Sequence, residues 1–318
     1  MEITITGTNA LTYPSLHIWN WMVAVDLFFG GLAAGLLIMS AIVNLTEGKD
    51  KVACVKGPLV APFCLMIGAF FIWLDLERPF NFFQIMFTFQ PSAPMSWGAW
   101  GITLIIPLSF LYGLSTVPAE YKHWLRFEFL KKLSDRLNPY MKPLARINFV
   151  LGVFLGIYTG ILLSLFVARP LWNSALLPLV SLSSSIATGA ALSAIIARRI
   201  TSKIFFSRAV VWLLGVQLVI IALFFFSHLT STAPQRESVM PFFSFTNEYF
   251  WYGASTVFFA LLLPLGLVLG LVRTKKDYGL EPSGAALLRL KVSSFMVLIG
   301  GLIIRLAILY AGQLSKLA

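Results

Sequence analysis

The sequence predicts an all-α integral membrane protein: eight transmembrane helices in two parallel-repeat four-helix bundles, both termini outside the cytoplasm. Three observations carry that prediction. Of the 318 residues, 58% are hydrophobic and 12% charged, with a mean hydropathy of +0.84; a soluble domain carries about 25% charged residues. Apolar runs recur at about 20 residues, the helical length that crosses the hydrocarbon layer. The runs are continuous rather than alternating, so the backbone satisfies itself as helices and not as a closed barrel.

The runs place helices near 17–45, 57–76, 96–116, 147–168, 175–197, 208–229, 248–272 and 290–312. The segment before Tyr13 is polar and lacks Lys and Arg, so the first helix is expected to act as its own insertion signal rather than follow a cleavable leader. Basic residues then set the orientation. Nineteen Lys and Arg fall in alternate connections, from Lys49, Lys51 and Lys56 through the seven of residues 117–146 to Arg289 and Lys291. The other side holds Arg78, Arg169, Arg236 and Lys316, and Arg305 lies inside the last span. The basic side is expected to be cytoplasmic. The net charge of +11 is thereby a topology signal and a contact with anionic lipid, and no interleaved basic-aromatic surface suggests nucleic acid. Residues 120–137 mix Trp124, Phe127, Leu130 and Leu133 with charges, the pattern of an amphipathic helix on the cytoplasmic face.

The two halves of the chain look alike. Phe29–Leu37 in the first helix matches Ser183–Ala191 in the fifth, and Trp97-Gly98 with Pro107-Leu108 resembles Trp251 and Gly253 with Pro264-Leu265. A four-helix unit returns the chain to its starting side, so the repeat is parallel. It divides the protein into residues 1–168, a first bundle bearing the site, and 169–318, a supporting second bundle. Small residues at Gly31, Gly35, Ala187 and Gly189 are expected to pack the two together.

Polar residues within spans are costly and mark function. Most of them lie in the outer half: His17, Asn20 and Asp26 in the first helix, Asp75, Glu77 and Arg78 at the end of the second, Tyr158 in the fourth, His228 at the end of the sixth and Arg305 in the last, with Gln217 at mid-depth in the sixth. A lone carboxylate such as Asp26, buried in lipid, costs several kcal/mol or takes up a proton. Arg305 needs a partner, for which Asp26 and Asp75 are the candidates. The repeat equivalent of Asp26 falls near Val180, so the site belongs to the first bundle.

Several chemistries are excluded. The sequence holds three His, and His123 is on a loop; two bis-His haems need four within the membrane. Cys54 and Cys64 form no CxxC pair, so no iron–sulfur cluster is expected, nor any other metal site. No phosphate loop or dinucleotide fingerprint is present.

Five segments in order carry a resemblance: Trp19-Asn20-Trp21 through Phe28–Gly35, Leu74–Pro79, Ser96–Trp100, Gly156–Leu163, and Pro170–Asn173 with Pro178. Together they resemble the NrfD/PsrC family, the membrane subunits of polysulfide-reductase-type complexes. The resemblance implies a cofactor-free membrane anchor that binds a quinone, menaquinone or ubiquinone, near the outer face. It further implies electron exchange with a ferredoxin-like iron–sulfur subunit docked outside, which serves a molybdenum or multihaem catalytic subunit. The setting is the cytoplasmic membrane of a bacterium or archaeon. The family's quinone pocket uses an Asn and a His on the first helix and a Tyr on the fourth. Asn20 and Tyr158 stand at the matching positions, and Asp75 carries over with Arg78 from the Leu-Asp-Leu-Glu-Arg-Pro motif. The imidazole does not match directly: Val23 stands one turn after Asn20, and His17, one turn before it on the same face, is the substitute. His17, Asn20, Asp75 and Tyr158 are thus the expected quinone contacts, with Asp26, Glu77, Arg78 and Arg305 as proton-path residues or charge partners.

A second reading is a secondary transporter using a membrane-embedded acidic and basic site. Transporters more often show inverted repeats and broken helices at the midplane, whereas here the repeat is parallel and the polar residues crowd one face.

Overall fold

The computed structural model describes residues 19–46, 53–117, 122, 125–197, 200–274 and 284–314. Every regular element among them is helical. In sequence order these are α1 (Trp21–Thr46), α2 (Ala53–Asp75), the short α3 (Gln84–Phe87), α4 (Pro94–Ser115), α5 (Glu128–Leu137), α6 (Met141–Ser164), α7 (Leu177–Ile196), α8 (Ile200–Leu229), the short α9 (Ala233–Val239), α10 (Glu248–Ser255), α11 (Leu263–Thr274) and α12 (Gly284–Leu314). Seven, α1, α2, α4, α6, α7, α8 and α12, are long and apolar enough to cross a membrane. The protein is a multi-pass membrane protein.

The remaining predicted span, 248–272, is built from α10, a π-helical segment Thr256–Leu262 and α11 in direct succession. Pro264 accounts for the widened turn. It has no N–H for the carbonyl of Ala260 and its ring collides with that carbonyl, so the preceding turn opens. The Pro264 carbonyl is itself taken up by the Ser293 hydroxyl of α12, 3.0 Å away.

The fourth span departs from its predicted bounds of 147–168: α6 begins at Met141 and ends at Ser164. Apolar composition continues through Leu165, Phe166 and Val167, but Pro170 disfavours helical backbone at Arg169. The backbone instead turns, with Val167 N–H on the Leu165 carbonyl and Arg169 N–H on the Phe166 carbonyl. Residues 128–137 form α5, with Phe127 and Phe129 exposed and Ser134 buried against the Leu114 carbonyl, 2.8 Å away.

α1 is the central element. It packs against α2, α6 and α7, while α7 also packs on α6, α8 and α12. α1 and α7 meet at Gly35 and Gly189. A Cβ on Gly35 would stand 2.9 Å from the Gly189 Cα and collide with the Ser185 carbonyl, and a Cβ on Gly189 would meet the Gly35 backbone. Backbones approach this closely only where both side chains are absent. Apolar clusters fill the space around this pair: Leu32, Leu36 and Leu65 on one side, Ala190, Phe206 and Leu214 on the other.

Candidate functional site

Asn20, Asp75 and Tyr158 lie at one end of the helices, the end where α1 begins and α2 and α6 finish. Asn20 precedes α1, and its side-chain oxygen accepts the Met22 N–H at 2.8 Å, an N-cap. Its side-chain Nδ2 donates to Asp75 Oδ1 at 2.7 Å. Asp75 is the last residue of α2, where a carboxylate opposes the negative end of the helix dipole. The Asn20 amide offsets that repulsion and joins the ends of two spans.

Tyr158 sits six residues before the end of α6, about 9 Å along the axis. Its hydroxyl donates to the Pro94 carbonyl at 3.0 Å, and its ring stacks on Phe154 at 5.9 Å. Gly98 on α4 faces that hydroxyl directly, and any Cβ there would collide with it. The Trp-Gly pair of α4 thus leaves room for a tyrosine from α6.

Asp26 is on the sixth residue of α1, about 8 Å from its start. Among the described residues its carboxylate has no hydrogen-bond or ion-pair partner. Gly68 of α2 faces it: a Cβ there would stand 2.7 Å from Asp26 Oδ1. Asp26 is the one acidic residue in the interior of the described spans.

Arg305 corrects the expectation that it pairs with Asp26 or Asp75. Its Nε donates to the Leu27 carbonyl at 2.8 Å, one amino group donates to Ser184 Oγ and the Gly301 carbonyl at 3.0 Å each, and the other donates to Ser185 Oγ at 3.0 Å. The Phe28 ring lies 5.8 Å from the guanidinium carbon. The fork reaches four neutral acceptors at once, and their dipoles replace the carboxylate. Lysine has neither this fork nor its reach. Arg305→Lys is therefore expected to lose several hydrogen bonds from a charged donor, each worth about 1.5–3 kcal/mol. A thermal unfolding midpoint equal to that of the parent protein would contradict this.

Glu77 and Arg78 are exposed beyond the end of α2 and, among the described residues, form no ion pair with each other or with Asp75. The backbone turns there into the 3-10 segment Pro79–Asn81, which carries both side chains outward. His17 lies outside the described residues. His228, at the end of α8, is buried with Nδ1 2.8 Å from the Phe224 carbonyl. That carbonyl only accepts, so Nδ1 carries the proton.

Sequence reasoning missed a network that fastens this end of the fold. Arg169 donates to the Gln313 carbonyl at 2.7 Å, Gln313 Nε2 to the Trp19 carbonyl at 2.8 Å, and Trp172 Nε1 to the Ile308 carbonyl at 2.8 Å. Trp19 stacks on Trp172 with centroids 5.5 Å apart. The partners are 136 to 294 residues apart, so spacing holds no trace of them. A cavity of about 70 Å³ lies elsewhere, among α7, α8, the π segment and α12, lined by residues such as Leu177, Val180, Phe224, Phe242 and Ile304. Its wall is almost wholly apolar, so it offers no chemistry comparable to the Asn20–Asp75 pair or the Tyr158 hydroxyl.

The protein is 27% identical to the C chain of polysulfide reductase from Wolinella succinogenes, over 93% of its own length and 94% of the relative. It is 28% identical to protein NrfD of Escherichia coli over 98% of its own length and 99% of that one. A shorter similarity, 27% identity over 58% of this protein and 49% of the relative, links it to the C subunit of selenate reductase from Mesobacillus selenatarsenatis. Residues 9–316 match the family described as Polysulphide reductase, NrfD, and the chain belongs to that family.

Proposed function

We propose that this protein is the membrane anchor and quinone-binding subunit of a respiratory oxidoreductase complex. The observation that carries the reading is that the Asn20–Asp75 hydrogen bond, Tyr158 and Asp26, which has no partner among the described residues, all lie toward the same end of three helices. Similarity to subunits of polysulfide and selenate reductases supports a reductase complex as the setting.

A quinone exchanges two electrons and two protons, and its ring oxygens need donors within an apolar surround. Tyr158 and Asn20 are the donors in this reading: the Tyr158 hydroxyl turns from the Pro94 carbonyl toward the ligand, and Asn20 uses its second amide hydrogen. His17 completes the set. Asp75 holds the Asn20 amide in orientation. Asp26 Oδ1, with no partner of its own, receives or returns the proton and passes it inward, the step through which proton translocation is proposed. The protein carries no redox centre in this reading. Electrons pass to or from a ferredoxin-like iron–sulfur subunit docked at the Asn20 end, which serves a molybdenum or multihaem catalytic subunit.

The proposal includes eight spans, residues 248–272 joining the seven long apolar helices, arranged as two four-helix bundles (1–168 and 169–318) with the Asn20 end on the outer face of the cytoplasmic membrane. A reporter active only in the cytoplasm, fused after Ala318, is expected to be silent; strong activity would sink this topology. The quinone site is tested in the assembled complex. Tyr158→Phe, which removes one hydroxyl and little volume, is expected to reduce quinone-linked turnover at least tenfold, about 1.4 kcal/mol of barrier, with assembly intact. If Tyr158→Phe, Asn20→Ala and His17→Ala all retain full turnover, the site is elsewhere.

A further inference from the structure

The connection between α2 and α4, residues 76–93, joins the two sides of the polar cluster: Asp75 stands at its start and Pro94, the acceptor for Tyr158, at its end. From Pro79 to Met95 there is no charged residue. The aromatic side chains of this stretch face outward, with Phe80 80% and Phe87 84% exposed and Phe82, Phe83 and Phe89 about half exposed. In water this would be a contiguous apolar patch of the kind that soluble surfaces avoid.

We propose that this connection lies within the bilayer interface at the Asn20 end and that its phenylalanines contact lipid acyl chains. Two independent features support lipid as the occupant. First, the connection is folded back against the helix ends rather than projecting from them. Trp73 Nε1 of α2 donates to the Pro79 carbonyl at 2.9 Å and Trp97 Nε1 of α4 to the Pro91 carbonyl at 2.8 Å. Buried Ser96 accepts from the Gln90 N–H and donates to the Thr88 carbonyl, both at 3.2 Å. Backbone in a lipid-facing position must satisfy its own polar groups, and the short turns do so: Phe82 N–H meets the Pro79 carbonyl, Thr88 N–H the Gln84 carbonyl, and Ala93 N–H the Gln90 carbonyl.

Second, the aromatic face is continuous with the lipid-facing surface of the spans. Phe80 packs on Trp73, which stacks on Phe70, and Phe89 packs on both Trp97 and Trp100. Phe70, Trp97 and Trp100 are exposed side chains of α2 and α4 themselves. Where a span's exposed face meets lipid, a ring touching that face at its end lies at the same boundary, where aromatic side chains anchor membrane proteins. The contact does not depend on what the polar cluster binds.

The test uses the full-length protein with its partner subunits in phospholipid vesicles. With Cys54 and Cys64 replaced by serine, Phe80→Cys and Phe87→Cys are labelled with bimane, and Ser231→Cys, in the exposed loop at the same end, serves as the aqueous control. Shallow doxyl-labelled phosphatidylcholine is expected to remove most of the emission at positions 80 and 87, and iodide to quench only the control. Iodide quenching at 80 and 87 equal to the control overturns the proposal. Shielding from both quenchers that appears only when the partner subunits are bound also overturns it and assigns the face to protein docking. On the unsubstituted protein, a phosphatidylcholine with a diazirine near its ester is expected to crosslink peptides from residues 79–93. Crosslinks confined to the spans would refute lipid contact.

Discussion

Valine at position 35 is expected to prevent the stable protein from forming. A Cβ on Gly35 meets the Ser185 carbonyl and carbon and the Gly189 Cα of α7, all backbone atoms. No rotamer change relieves such a clash, so α1 and α7 must separate. Overpacking a well-filled interior costs about 1–3 kcal/mol even where side chains can yield, and here the displacement is shared by every element packed on α1. Gly35→Val is expected to abolish recovery of monodisperse protein from detergent, and Gly189→Val to do the same. Gly30, which has nothing within 4 Å of its Cβ position, is the control: Gly30→Ala is expected to be recovered normally. Equal recovery of Gly35→Val and Gly30→Ala would mean that the α1–α7 contact is not tight in the folded protein.

Asp26→Asn is expected to give the opposite combination, a sturdier protein with little turnover. An unpaired carboxylate among apolar helices is a cost to folding, and an amide of the same shape removes the charge. The thermal midpoint is therefore expected to rise. A side chain that exchanges protons contributes about 10²–10⁴-fold to rate, so quinone-linked turnover in the assembled complex is expected to fall at least a hundredfold. Gly68→Ala adds a methyl group 2.7 Å from Asp26 Oδ1 without removing the carboxylate, and is expected to slow turnover by less. Were Asp26 a structural residue only, Asp26→Asn would lower the midpoint and leave turnover intact.

The spans are legible in the sequence because lipid exposure demands long apolar runs, and a run of fixed length leaves little freedom. Boundaries are less so. Leu165 to Val167 read as helix on composition, yet Pro170 ends the helix ahead of them, and a fourth span drawn to residue 168 places Tyr158 too deep. With α6 ending at Ser164, Tyr158 and Asp26 sit at nearly equal depth. Asn20, Asp75 and Tyr158 are visible as polar residues in order, and the contacts they make, Asn20 to Asp75 and Tyr158 to the Pro94 carbonyl, are not. Carbonyl acceptors have no residue type to read. The same blindness misassigns Arg305: a charge in lipid suggests an opposite charge, while the fold supplies two hydroxyls and two carbonyls. Ser184 and Ser185 stand in the segment matched between the two halves, but their spacing indicates packing rather than a guanidinium cage.

The network of Trp19, Arg169, Trp172 and Gln313 has a consequence for biosynthesis. A ribosome releases α1 into the membrane long before α12 exists, so Trp19, next to Asn20, gains its Gln313 partner only as the final helix inserts. The same helix delivers Arg305 to the carbonyl of Leu27, the neighbour of Asp26. Both clamps on the flanks of the polar residues therefore arrive together, with α12. A nascent polypeptide stalled before residue 305 holds Asn20, Asp26, Asp75 and Tyr158 and neither clamp.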